Sequence, residues 1–222
     1  MNRSFLPYSI ETSEERKSVN RGKLKENSLE GDQASLLIQR GLIFSSLALT
    51  GVAVDLLTKQ IVFAQLGLPG QSDPKWVIDG ILGIQTAVNP GAVFGLGAGK
   101  GLFFAAFSVI AILGIGLWVF RFGGYQSKWL TFTLGIITGG ILGNLYDRLG
   151  FWWEDYLPIE WKSGVRDWIL FRIEGVPLFD PWPNFNIADA LLVIGATMLF
   201  YYSLVLDVAA SDSSQTDSDA PA

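Results

Sequence analysis

Apolar residues run along the chain in four long blocks, and polar residues gather between them or at particular ends of them. Residues 101–120 carry no charge, nor do residues 129–146. Each block has about the length that crosses a ~30 Å hydrocarbon layer as a helix. A first block, about 41–63, is interrupted late by Asp55 and Lys59, which stand at i and i+4 on one helical face with the acid first, the favourable order. A fourth, about 187–206, carries Asp189 in its first turn, and the third block extends to about 149. The pattern predicts four transmembrane helices with both termini on one side.

Between the first two blocks the pattern changes. KWVI and ILGIQTAV flank Asp79-Gly80, a type I′ turn dipeptide between two β-prone runs, which predicts a hairpin and a small sheet on the membrane surface. Gly135, Gly139 and Gly143 recur every four residues in the third block, beside Gly140; such a ladder lets helix backbones approach closely in lipid. The predicted fold is an all-α membrane protein with four transmembrane helices plus a small extracytoplasmic β-sheet cradle.

Lys and Arg counts near span ends set the orientation. Seven precede the first span (Arg40 included), and Arg121 and Lys128 sit in the turn after the second. The loop 64–99 has Lys75 alone, and Lys162, Arg166 and Arg172 are spread over the longer loop 150–186. This density puts both termini in the cytoplasm and both long loops outside. Residues 1–34 are polar, mixed in charge and without an apolar period, and 209–222 are similar; both are expected to be disordered tails flanking a membrane domain over 35–208, and no secretory leader is expected. Of eight tryptophans, Trp76, Trp152, Trp153, Trp161, Trp168 and Trp182 fall in the two outer loops, where indoles anchor at headgroup depth or line a cleft for a lipid-bearing substrate.

Composition narrows the chemistry. Half the residues are apolar and 17% are charged, against about 25% charged in soluble domains. Without cysteine or histidine there is no disulfide, thiolate nucleophile or Ser-His dyad, and no soft or imidazole ligand for a transition metal. No metal or cofactor is expected, and no basic stripe points to nucleic acid.

Polar side chains within or beside spans are costly and are functional candidates by default. Here they collect at one depth: Asp55 and Lys59, then Asn144, Asp147 and Arg148, then Asn186 and Asp189, with Asp167 in the apolar run VRDWI. Each has a plain alternative. Asp55–Lys59 can be a neutralising pair, Asp147 and Arg148 an interfacial anchor, and Asn186 with Asp189 a variant capping box. Asp167 has no obvious local role. Two close carboxylates cannot readily both ionise, so one keeps a proton and the pair supplies base and acid together. Asp189, near a helix N-terminus, is the one expected to ionise, leaving the proton on Asp167. Arg148 is expected to pair with Asp147 or to hold backbone carbonyls.

Read together, VDLLTK (54–59), NPGAVFG (89–95), GGILGNLYDRL (139–149), VRDWI (165–169) and FNIADA (185–190) resemble, in order, the blocks of lipoprotein signal peptidase (signal peptidase II), the bacterial aspartic protease of the inner membrane. The resemblance spans about residues 41–206. It implies removal of the signal peptide from prolipoproteins before a diacylglyceryl-modified cysteine, at the outer face of the cytoplasmic membrane. It also implies Asp167 and Asp189 as the catalytic pair, with Asp55, Lys59, Asn89, Gly140, Asn144, Asp147, Arg148, Asn186 and Ala188 in support. The chain departs from the family's pattern in a longer stretch between Arg148 and Asp167 (FWWEDYLPIEWKSG), in Arg166 and Trp168 beside the first acid, and in a proline-bearing loop over 173–185. A proton- or ion-coupled transporter and a non-catalytic membrane scaffold are the rival classes; the transporter predicts ionisable groups spread across depth.

Overall fold

A computed structural model describes residues 13–91 and 99–206. Its contacts divide the chain into residues up to Gln39 and a unit from Arg40 onward, and everything bearing on the site lies in the latter. The elements are α1 (Ser13–Leu66), β1 (Lys75–Ile78), β2 (Leu82–Asn89), α2 (Gly101–Arg121), α3 (Lys128–Arg148), β3 (Val165–Phe171), β4 (Trp182–Phe185) and α4 (Ile187–Tyr201), which a π-turn extends over Tyr202–Leu206. Among the described residues, four helices are long and apolar enough to cross a membrane. Outward-facing Leu102, Ile110 and Leu113 of α2 are 61–71% exposed, a surface suited to hydrocarbon rather than water.

The helix from Ser13 corrects the expectation of disorder through residue 34. A missing apolar period argues against packing, and the described side chains from 25 to 35 are indeed exposed. It does not argue against helix, since Lys, Arg, Glu, Gln and Leu are good helix formers. Residues 1–12 and 207–222, with the whole of the second tail, lie outside the described residues.

α3 is the central helix: 56% of it is buried by the rest of the protein, against 11% for α2 and α4. Ser127 caps it, accepting the Leu130 N–H at 3.2 Å. The glycine ladder explains how α3 is surrounded so closely. A Cβ on Gly139 would lie 3.0 Å from the Ala48 carbonyl and 3.2 Å from the Gly51 Cα of α1, and one on Gly140 would lie 2.6 Å from the Ala188 carbonyl of α4. No larger residue permits both approaches without displacing a backbone.

The sheet has order β1-β2-β3-β4, all antiparallel. It therefore draws on both long loops, where local pattern had pointed only to the hairpin in the first. That hairpin forms where expected, but a bulge between Trp76 and Ile78 makes its connection three residues long. Gly80 adopts φ +70° there, and Ile81 N–H closes on Ile78 C=O at 2.9 Å. β3 is an inner strand with a ladder on each side.

Candidate active site

Lys59 sits at the centre of the buried charges. Its Nζ lies 2.7 Å from Asp55 Oδ2 and 3.2 Å from Asp147 Oδ2, and it donates to Asn144 Oδ1 at 3.1 Å. Lys59, Asp55 and Asp147 are fully buried. Asp55 also accepts the Ala188 N–H of α4 through Oδ1 at 2.9 Å, so this pair ties three helices together rather than simply neutralising itself. Gly143 stands opposite, where a Cβ would come within 2.4 Å of Asp55 Oδ2.

Fixing Asn144 Oδ1 toward Lys59 turns its amide nitrogen the other way, and Nδ2 donates to Asp189 Oδ1 at 2.8 Å. Asp189 Oδ2 accepts the Asn186 N–H at 3.1 Å, and Asn186 Oδ1 accepts the Asp189 N–H at 3.0 Å. This is a reciprocal capping box at the start of α4, as the sequence suggested. The cap has a second task. Asn186 Nδ2 donates to Asn144 Oδ1 at 3.1 Å and to Asp167 Oδ1 at 2.6 Å, so one amide links the two aspartates.

Asp167 comes from β3, opposite Ala87 of β2, and is 2% exposed. Burial first, and then the charge of Asp189, push its carboxyl from the ordinary 3.8 up to about 8; hydrogen bonds from Asn186 and Asn89 and the charge of Lys59 pull more weakly the other way. Asp189 meets different surroundings: two N–H donors at the N-terminal end of α4.

Arg148 holds backbone carbonyls. Its guanidinium donates to the carbonyls of Asn89 at 3.3 Å, Ser163 at 3.1 Å and Gly91, and lies 5.3 Å from the Phe104 ring. The alternative pairing with Asp147 does not form, because Asp147 is taken by Arg166: Nε and Nη2 donate to Oδ1 at 3.1 and 2.8 Å. Neither Asp147 nor Arg148 is an exposed anchor; both are buried. Asn89 turns the chain by accepting the Gly91 N–H at 3.0 Å, while residues 92–95 of its block lie outside the described residues.

A cavity of about 810 Å³ opens on this cluster. Asn89, Asn144, Arg148, Asp167 and Asp189 form its polar end, and Phe104, Phe107, Ile141, Leu192, Val193 and Trp182 are among its apolar walls. Asp55, Lys59 and Asp147 support it from behind. Gly140 and Ala188 act at the point where α3 meets α4. The polar layer thus joins three helix ends and a strand; α2 supplies aromatic wall instead of charge. Phe104 and Phe107, at i and i+3, could not be singled out in a span apolar on every side. Among the described residues, no group of three or more acidic side chains is arranged to hold a metal ion.

The family described as signal peptidase (SPase) II matches residues 47–205, the stretch that builds this cavity. The chain belongs to the signal peptidase II family. A lipoprotein signal peptidase of Rhodopirellula baltica is 56% identical over 77% of this chain and 75% of its own. That of Bacillus subtilis is 32% identical over 74% of this chain and 94% of its own. Two solved structures, described as bacterial membrane enzymes obtained by the in meso method at 2.3 and 1.9 Å resolution, align with TM-scores of 0.59 and 0.57. Each is 26% identical to this chain, and they cover 73% and 72% of it and 87% and 90% of their own chains. Membership of the signal peptidase II family makes this a bacterial membrane protease and sets aside the transporter and scaffold readings.

Proposed function

We propose that this protein is an aspartic endopeptidase that removes signal peptides from prolipoproteins before their diacylglyceryl-modified cysteine, with Asp167 and Asp189 as its catalytic pair. The observation that carries the reading is the unlike setting of two linked carboxylates on one cavity. Asp167 is buried, with its acidity pushed to about 8, and Asp189 is held at a helix start by two N–H donors. Asp189 takes a proton from a water that attacks the scissile carbonyl; Asp167 donates to the carbonyl oxygen, and the shared proton then passes to the leaving amine. Asn144 and Asn186 hold the acids in register. Gly140 and Ala188 permit the helix contact that brings them together, and the Asp55–Lys59–Asp147 cluster braces it.

The apolar walls suit the acyl chains of a lipid-modified substrate, and membrane lipid surrounds the spans. The distribution of Lys and Arg supports cytoplasmic termini and a sheet and cavity mouth at the outer face of the cytoplasmic membrane. The test is processing of a synthetic prolipoprotein peptide by purified protein in lipid. The diacylglyceryl form should be cut before its cysteine and the unmodified form left largely intact; equal cutting of both would remove the lipid from the specificity.

A further inference from the structure

Arg166 precedes Asp167 on β3. It is 4% exposed. Its backbone N–H donates to Asp147 Oδ2 at 3.0 Å, while Nε and Nη2 donate to Asp147 Oδ1 at 3.1 and 2.8 Å. One residue of β3 therefore engages both oxygens of a carboxylate at the end of α3. The guanidinium also lies 5.4 Å from the ring of Trp152, in the stretch after α3. That indole is itself fixed: Nε1 donates to the Gly164 carbonyl at 2.9 Å, and its ring meets Phe63 edge-on at 6.2 Å.

Lys59 is shared between Asp55 and Asp147, so Arg166 supplies the second positive charge of the group, a task a lysine could also perform. What a guanidinium fork adds is direction. Direction matters here because side chains alternate along a strand, so a slip of one residue would turn Asp167 out of the cavity and Arg166 into it. The ladder between β2 and β3 is broken by a register shift between Ile84 and Ala87. Pairing at the Phe171 end of β3 is thereby uncoupled from pairing at the Asp167 end.

We propose that Arg166 is a positioning residue for peptide hydrolysis: its fork on Asp147, backed by Trp152, locks β3 in the register that turns Asp167 into the cavity lined also by Asp189. The inference rests on the catalytic reading of Asp167, and it gives the stretch after α3 a role as the outer wall of that lock.

The experiment compares full-length wild type, Arg166→Lys, Arg166→Met and Trp152→Leu, with Asp167→Asn as control. Cleavage of the diacylglyceryl peptide and thermal unfolding in detergent are measured for each. Arg166→Lys keeps the charge and loses the fork; it should stay folded with KM unchanged and kcat reduced about 10- to 100-fold, the scale of a misplacement near 1 Å. Arg166→Met should lose at least as much. Trp152→Leu, which changes no charge, should lose kcat several-fold and decides the matter if the Arg166 variants do not fold. Wild-type kcat in Arg166→Lys, a loss confined to KM, or an unaffected Trp152→Leu would overturn the inference while leaving the catalytic reading intact. Full activity in Asp167→Asn would overturn that reading, and the inference with it.

Discussion

Lys59→Met probes the support beneath the aspartates. The ammonium lies 2.7 Å from Asp55 and 3.2 Å from Asp147, and all three side chains are fully buried. With Arg166 on Asp147, the group holds two negative and two positive charges. Methionine fills similar volume but leaves the group one positive charge short and Asp55 with only the Ala188 N–H. Breaking a buried pair from one side costs about 3–5 kcal/mol, a large part of the ~5–15 kcal/mol that keeps a typical protein folded. For a domain of this size that lowers the melting temperature by roughly 6–20 °C. Asn144 Oδ1 also loses one of its two donors, keeping only Asn186 Nδ2, so the hydrogen bond to Asp189 loosens and cleavage should fall with stability. Thermal unfolding in detergent micelles and peptide cleavage measure the two effects. Adding Asp55→Asn removes the orphaned charge and should restore part of the stability, giving a large coupling in a double-mutant cycle. A Lys59→Met protein that melts and cleaves like wild type would refute the reasoning.

Gly143→Ala places a Cβ where Asp55 Oδ2 would be 2.4 Å away and should cost about 1–3 kcal/mol as overpacking; Gly116→Ala, with open space around it, is the matched control, and equal melting of the two would contradict the packing described. Arg148→Lys cannot serve the three carbonyls that the guanidinium holds, and each buried carbonyl left unpaired costs about 1–3 kcal/mol; the variant should melt lower and cleave poorly, which the same two assays check. For pH, Asp167 binds its proton more tightly folded than unfolded, so its contribution to stability is full below about 4 and lost as pH rises through about 8. Asp167→Asn should remove that slope from denaturant titrations, and wild-type kcat should decline above about pH 8 as the proton donor ionises.

Long-range order was legible wherever one residue type had one dominant cost. The uncharged runs that became α2 and α3, the glycines at intervals of four and the Asp79-Gly80 hairpin each answer to a single physical demand. The polar residues of the site were legible for the same reason, since charges beside apolar spans need partners. Their partners were not. Whether Arg148 would take Asp147 or the carbonyls of Asn89, Gly91 and Ser163 depends on where β3 docks, and β3 is placed by pairing with residues some 80 positions earlier in the chain. Likewise Asn186 read as a helix cap, which it is; its other amide hydrogen bonds, to Asn144 and Asp167, exist only once α3, β3 and α4 have met. The helix begun at Ser13 has no amphipathic stripe for the pattern to reveal, since its described side chains from 25 to 35 are all exposed.

The most direct test replaces each of the two acids alone by asparagine, which preserves shape and removes the ability to exchange a proton. Asp167→Asn and Asp189→Asn should each bind the diacylglyceryl peptide, unfold at temperatures near that of wild type and yield no cleaved product. A well-folded variant of either that still processes the peptide at the wild-type rate would contradict a mechanism built on both carboxylates.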